Sequence, residues 1–265
     1  MKTGKEVLDV WKPFALSPTR RRPVGGLLAF TLTWSICIAT AGFAQGDAQS
    51  ANDLAEEAYR QSRLGDIETA IDKYRAALEI EPTLHRARFE LARHFAGLRR
   101  FEDARAEFAT LVAMTPEDGA ARRGEVTALL FLDRWVEART KLEEALVALP
   151  RDGQLAHLLA RVLASAPVAA ARDGKTAQQL AEAVYQARQE PDVFETVAMA
   201  YAEQGDFANA IDIQRTIIGY YESRENEPVP EVTRRRLDTY IREEPWRAES
   251  PMEIVQSTEL PQAQP

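Results

Sequence analysis

The feature that most constrains this chain is a spacing. Laid out from Ala51 at a period of 34 residues, the sequence places the same residue types at the same positions. Ala70, Ala104 and Ala138 share one position, and Tyr74, Phe108 and Leu142 lie four residues further on. The apolar pairs Ala77–Leu78, Leu111–Val112 and Ala145–Leu146 follow, and then Pro82, Pro116 and Pro150. Steps of three and four put the apolar residues on one face of a helix. A small residue in that face lets a second helix cross at close range, and the large residue one turn later fills the space beside the crossing. Proline cannot continue a helix, so it ends each one. The stretch "GDIETAIDKYRAALEIEP" (Gly65–Pro82) returns as "GDFANAIDIQRTIIGYYE" (Gly205–Glu222), 140 residues on. Four periods fall four residues short of that, so the window between Gly153 and Glu190 carries four extra residues. They sit in "LASAPVAAARDGKT", where Pro167 interrupts a helical pattern.

Each window also opens with apolar residues at helical spacing, such as Leu54, Ala55 and Ala58, or Phe89, Leu91, Ala92 and Phe95. Each unit is therefore a pair of helices, with Gly65 and Gly205 permitting the turn between them. One pair cannot bury its apolar face alone, so neighbouring pairs must stack. The pattern predicts five units, at about 51–84, 85–118, 119–152, 153–190 and 191–224. A closing helix is expected over 229–244, on the pattern of "RRRLDTYIREEPW" (Arg234–Trp246), to cover the last apolar face. From Pro245 prolines recur and no helical period survives, which predicts a disordered Pro-rich tail over 245–265.

These residues resemble the tetratricopeptide repeat family over roughly 51–222. The tryptophan and glycine usual early in such a repeat are replaced by Leu54 and Ala58 in the first unit, and by Arg88 and Ala92 in the second. The resemblance implies an all-α, right-handed superhelical solenoid of paired antiparallel helices. It also implies that the first helices line a concave groove that holds a protein or peptide partner. Mapped onto this sequence, the groove positions are Asn52 and Tyr59, then Arg86, Phe89 and Arg93, then Arg123 and Thr127, then His157 and Arg161, and finally Glu195 and Met199. Arg86, Arg93, Arg123 and Arg161 would then share one surface. Guanidinium groups pair with carboxylates in a forked geometry, so the expected partner is an acidic or C-terminal peptide segment. The competing expectation is a solvated face whose arginines pair with Glu90 and Glu125.

The segment 1–44 reads as an export signal. Arg20, Arg21 and Arg22 precede an apolar stretch from Leu27 to Phe43, and Gly42 and Ala44 are small residues suited to cleavage before Gln45. The alternative is an uncleaved anchor, since the stretch is nearly long enough to span a bilayer. Together with the family resemblance, the signal predicts an exported protein of a bacterial periplasm, or one anchored in the inner membrane if the segment stays.

Charge excludes one class of partner. The chain holds 33 basic against 41 acidic residues, for a net of −8. The basic excess of residues 1–44 means that the remainder is more acidic still. A nucleic-acid footprint is basic, so none is expected here. Catalytic patterns are absent from the sequence. His85, His94 and His157 form no zinc motif, and Cys37 is the single cysteine. "AAARDGKT" (Ala169–Thr176) ends like a phosphate-binding loop, but it has Ala169 where that loop needs glycine, and a helical run precedes it. The expectation is a non-enzymatic scaffold or assembly factor with no cofactor or metal. A nucleotide-binding or tethering accessory of an enzyme complex is the remote alternative.

Overall fold

The computed structural model describes residues 38–224 and 228–255. Its elements are all helical: α1 (Ile38–Arg63), α2 (Ile67–Ile80), α3 (His85–Gly97), α4 (Phe101–Met114), α5 (Gly119–Phe131), α6 (Trp135–Ala148), α7 (Gly153–Ser165), a 3-10 turn (Ala169–Ala171), α8 (Gly174–Ala187), α9 (Pro191–Glu203), α10 (Phe207–Glu222), α11 (Glu231–Ile241) and α12 (Pro251–Val255). The fold is all-α, in consecutive packed pairs. The described chain divides within α3 into two compact units, residues 38–91 and 92–255.

Most of the expected export segment lies outside the described residues; Ile38 to Ala44 begin α1. Among the described residues, no helix is long and apolar enough to cross a membrane.

In the first unit α1 packs on α2. Ala70 is fully buried at the crossing and Tyr74 is buried one turn later. In the second unit successive helices pack from α4 to α11, α7 also meets α9, and α12 packs on α5 and α7. Ala104, Ala138 and Ala210 are fully buried, as are Phe108 and Leu142 to within 2%. The small and large positions of the period thus form the core.

The helix ends follow from local chemistry. Asp66 and Asp206, the aspartates of the two Gly-Asp phrases, cap α2 and α10 by accepting the backbone N–H groups of Thr69 and Asn209. Asp118, Asp152 and Asp173 do the same for α5, α7 and α8. Gly65 and Gly205 sit at φ +85° and +81°, as a left-handed turn requires. In two of the three intervening turns Arg99 (φ 60°) and Asp133 (φ 57°) hold that conformation without glycine. The helix pairing therefore imposes this turn even where no glycine favours it.

Residues 166–173, which include the extra residues of the fourth unit, form a braced corner. The Asp173 amide donates to Leu163 O at 2.9 Å. The Arg172 guanidinium donates to Ala166 O (2.9 Å) and Pro167 O (3.1 Å), and its Nε reaches Glu203 Oε1 at 2.9 Å. The resemblance of "AAARDGKT" to a phosphate-binding loop has a packing explanation. The helix α7 precedes it, Lys175 is exposed, and a Cβ on Gly174 would lie 2.9 Å from Gln204 Cγ and 3.0 Å from Glu203 Cγ. The glycine lets α8 approach α9.

The tail departs from expectation. Residues 245–255 are folded, and Trp246, Ala248, Ile254 and Val255 are buried in the core of the second unit. Residues 256–265 lie outside the described residues. A proline-rich stretch without periodicity still orders when its few apolar side chains find a preformed apolar face.

Candidate functional site: a cavity in the first unit

In the first unit a cavity of about 600 Å³ opens between α1, α2 and the start of α3. Asn52, Ala55, Glu56, Tyr59 and Arg60 line it from α1, at spacings that share one helix face. Tyr74 forms its inner side, and Thr83, Leu84, His85, Arg86, Ala87 and Glu90 close it. Tyr59 is 44% exposed, and the Arg86 guanidinium lies 5.8 Å from the centre of its ring. That is within cation–π range. Arg60 pairs with Glu57 at 2.7 Å, beside the cavity. The cavity is thus aromatic at its mouth, with charges of both signs around it. Among the described residues, no group of His, Cys, Asp and Glu could hold a metal ion.

Of the expected groove residues, Asn52, Tyr59 and Arg86 line this cavity, whereas Phe89 is half-buried and not in its lining. The second unit corrects the remainder. Arg93 is half-buried, and Arg123 turns to Asp152, the cap of α7, with Nη1 3.3 Å from Oδ2. Thr127, His157, Arg161, Glu195 and Met199 are all buried. Arg123 and Arg161 therefore do not form an open cationic row. The physical reason is that other parts of the unit close on these side chains: α11 on Glu195 through Thr233 and Arg236, the segment after it on Arg161 through Glu253, and α9 on His157 through Thr196. Nor do Arg123 and Arg161 pair with Glu125, as the competing expectation held. Glu125 is itself buried, and burial raises its pKa above the usual carboxylate value.

Beneath that cover lies a buried polar nucleus. Glu195 on α9 accepts the Thr233 hydroxyl at 2.6 Å and the Arg236 guanidinium at 2.5 Å, both from α11. Arg236 lies 5.3 Å from the centre of the Trp246 ring, and Trp246 Nε1 donates to Glu253 Oε2 at 3.2 Å. Arg161 donates to the backbone oxygen of Glu253. Burial, then the neighbouring Arg236, lower the Arg161 pKa to about 10. Among the described residues the buried Tyr240 hydroxyl has no hydrogen-bond partner, and burial raises its pKa. No pattern in the sequence pointed to Arg236 or Glu253, whose partners Glu195 and Arg161 lie 41 and 92 residues away, or to Trp246, which packs between them outside any repeat.

His157 belongs to the same buried layer. Its Nε2 lies 2.9 Å from Thr196 Oγ1, while the Thr196 hydroxyl is 3.0 Å from Asp192 O. Thr196 has one proton, given to Asp192 O, so Nε2 carries the imidazole proton and donates. Burial first, then Arg161 and Arg188, lower the His157 pKa from 6.5 to about 3. The unfolded chain takes up this proton near pH 6.5 and the folded chain does not. Stability from this group is therefore complete above pH 6.5 and declines as pH falls toward 3. Between pH 7.5 and pH 5, wild type is expected to lose about 2 kcal/mol more than His157→Gln, read from urea midpoints. Parallel pH curves for the two proteins would exclude a buried neutral imidazole.

Comparison with known proteins agrees with this architecture. The family model described as tetratricopeptide repeat matches residues 63–124. Among curated proteins none matches the chain. Solved structures share the fold. MamA (residues 41 to the end) from Desulfovibrio magneticus RS-1 is 15% identical with a TM-score of 0.57, covering 68% of this chain and 98% of its own. YrrB, described as a TPR protein with an unusual peptide-binding site, is 18% identical with a TM-score of 0.55, covering 68% and 91%. A tetratricopeptide repeat protein from Parabacteroides merdae is 13% identical with a TM-score of 0.59, covering 80% and 81%. At these identities the likeness concerns the fold alone. A tetratricopeptide repeat is thus recognised over residues 63–124, and helices paired in the same way continue beyond it.

Proposed function

We propose that this protein is a non-enzymatic interaction scaffold of the bacterial envelope, holding a segment of a partner protein in the cavity of its first unit. The observation that carries the reading is the exposed Tyr59 ring with Arg86 over it, at the mouth of a cavity of about 600 Å³. A space of that size takes a few side chains of an extended or helical segment. Aromatic and arginine residues are the side chains that most often dominate binding energy at protein interfaces. Arg86 favours a carboxylate on the bound segment, which matches the acidic peptide expected from the sequence. The peptide-binding site described for YrrB, which has the same fold, supports a site of this kind here.

The test is photo-crosslinking in cells from a reactive residue placed at Thr83, on the rim, in wild type and in Tyr59→Ala/Arg86→Glu. Tyr59 and Arg86 are exposed, so the double variant is expected to keep its helical content. One envelope protein captured by wild type, with at least about tenfold less in the variant, is the expected result. Equal capture by both would remove the cavity from the function.

The envelope location rests on the basic and apolar run within residues 1–44. Intact mass of the protein recovered from cells separates its two forms. Loss of the first 44 residues means a cleaved, periplasmic protein, and a retained segment means an anchored one.

A further inference from the structure

The buried face of the second unit is covered by the chain's own residues 245–255. Residues 245–255 lie across the first helices of three successive units. The helix α12 packs on α5 and α7. The Ala248 amide donates to Ser165 O at the end of α7 (2.9 Å), and Arg247 Nη1 pairs with Glu203 Oε2 at the end of α9 (2.6 Å). Trp246 is wedged beside Arg235 and Arg236, each guanidinium 5.3 Å from its ring centre. Ile254 and Val255 are buried, and Met252 between them and the chain's bend is 46% exposed.

Three observations mark this segment as an occupant and not a fixed wall. First, α12 has five residues, too few to hold a helix by itself, so it folds only where it docks. Second, the surface is imperfectly satisfied. Among the described residues, Arg161 donates to a backbone carbonyl and stands in no ion pair, and Arg161 Nε, Arg236 Nε and the Tyr240 hydroxyl are buried without a hydrogen-bond partner. Buried guanidinium groups left short of acceptors are costly, so a better placed carboxylate would bind there more tightly than the chain's own segment does. Third, the ion pair Arg235–Glu249 at the segment's edge is between exposed side chains and contributes little.

We propose that the face formed by α5, α7 and α9 is a segment-binding surface whose resident occupant is residues 245–255. It accepts in exchange a partner-protein segment of the same chemistry, an aromatic side chain followed seven residues later by a carboxylate. The aromatic ring takes the place of Trp246 against Arg236. The carboxylate takes that of Glu253, in reach of Arg161 and Arg236. Because the chain's own segment is tethered, it competes at an effective concentration near the millimolar range, and the surface stays closed until a stronger segment arrives. The proposal goes beyond the cavity at Tyr59 and stands independently of it. The residues involved belong to the other unit, and Tyr59→Ala/Arg86→Glu leaves them intact.

The test uses the full chain and a fluorescein-labelled synthetic peptide with the sequence of residues 245–255. In Trp246→Ala/Ile254→Asp the resident segment is loosened while α5, α7 and α9 keep every side chain. The expected result is peptide binding at least about tenfold tighter to this variant than to wild type. A peptide carrying Trp246→Ala and Glu253→Lys should bind neither protein. Hydrogen exchange provides a second reading on wild type itself. The Ala248 amide should be protected alone and lose protection when excess peptide is added, while α5 to α10 stay protected. The proposal is overturned if the folded variant does not bind the peptide, or if both proteins bind it equally. It is also overturned if loosening the segment melts α5 to α11, since the segment would then be a permanent part of the core. A wild-type dimer in which the segments are exchanged between two copies would equally overturn an occupant from the same chain.

Discussion

Glu195→Ala is expected to lower the stability of the second unit by about 3–5 kcal/mol, the cost of leaving a buried charge without its partner. Arg236 is only 2% exposed, and Glu195 is the carboxylate that takes its Nη1. The Thr233 hydroxyl loses its acceptor in the same step. Urea denaturation followed by far-UV circular dichroism reads the effect as a shift in midpoint. The double variant Glu195→Leu/Arg236→Met removes both charges and should recover most of the loss, because an apolar pair of similar volume is often neutral or better. A double variant no more stable than the single one would mean that the ion pair is not what Glu195 contributes. The site residue inferred from its register position would then have some other role.

Gly124→Ala is expected to destabilise the same unit by about 2 kcal/mol. In an ordinary helix interior this change stabilises by up to about 1 kcal/mol, since alanine is the better helix former. Here packing reverses the sign. A Cβ at Gly124 would lie 2.6 Å from Cε1 and Cζ of Phe108 and 2.7 Å from Cδ1. Phe108 fills the large position of its repeat and is buried, so the ring has no room to withdraw. Phe108→Leu in the Gly124→Ala background should return part of the loss, because the smaller side chain gives back the space. An unchanged or raised midpoint for Gly124→Ala would show that α4 and α5 do not approach as closely as Phe108 and Gly124 require.

Both predictions arise at positions whose importance the sequence does not announce. Gly124 matches no turn signal, and its role depends on a ring one unit earlier. Glu195 stood among the expected groove residues because of its place in the period. The structure keeps it at that place and changes its meaning. What differs is the cover: α11 brings Arg236 and Thr233, and the segment after it brings Trp246 and Glu253. Thr127, His157, Arg161 and Met199 share the fate of Glu195, while Tyr59 and Arg86 remain accessible in the first unit. The arginines expected to read a partner's acidic residues are divided accordingly. Arg86 can still do so, Arg123 is engaged with the cap of α7, and Arg161 with the chain's own backbone.

The amino-acid sequence by itself determined the helix pairs, their order and the small and large residues at each crossing. Those depend on contacts within one period or between adjacent periods, and such contacts impose a spacing that recurs. It also determined the turn at Gly65 and Gly205, while the same left-handed backbone at Arg99 and Asp133 carries no residue signal. Only the tertiary structure decided which part of the repeat face stays open. That outcome rests on Trp246, Ile254 and Val255 returning to helices that lie far earlier in the chain, for which no local pattern exists. The same apolar positions that make each repeat legible make its exposed face adhesive. Which segment covers that face is settled by reach and complementarity, and not by periodicity.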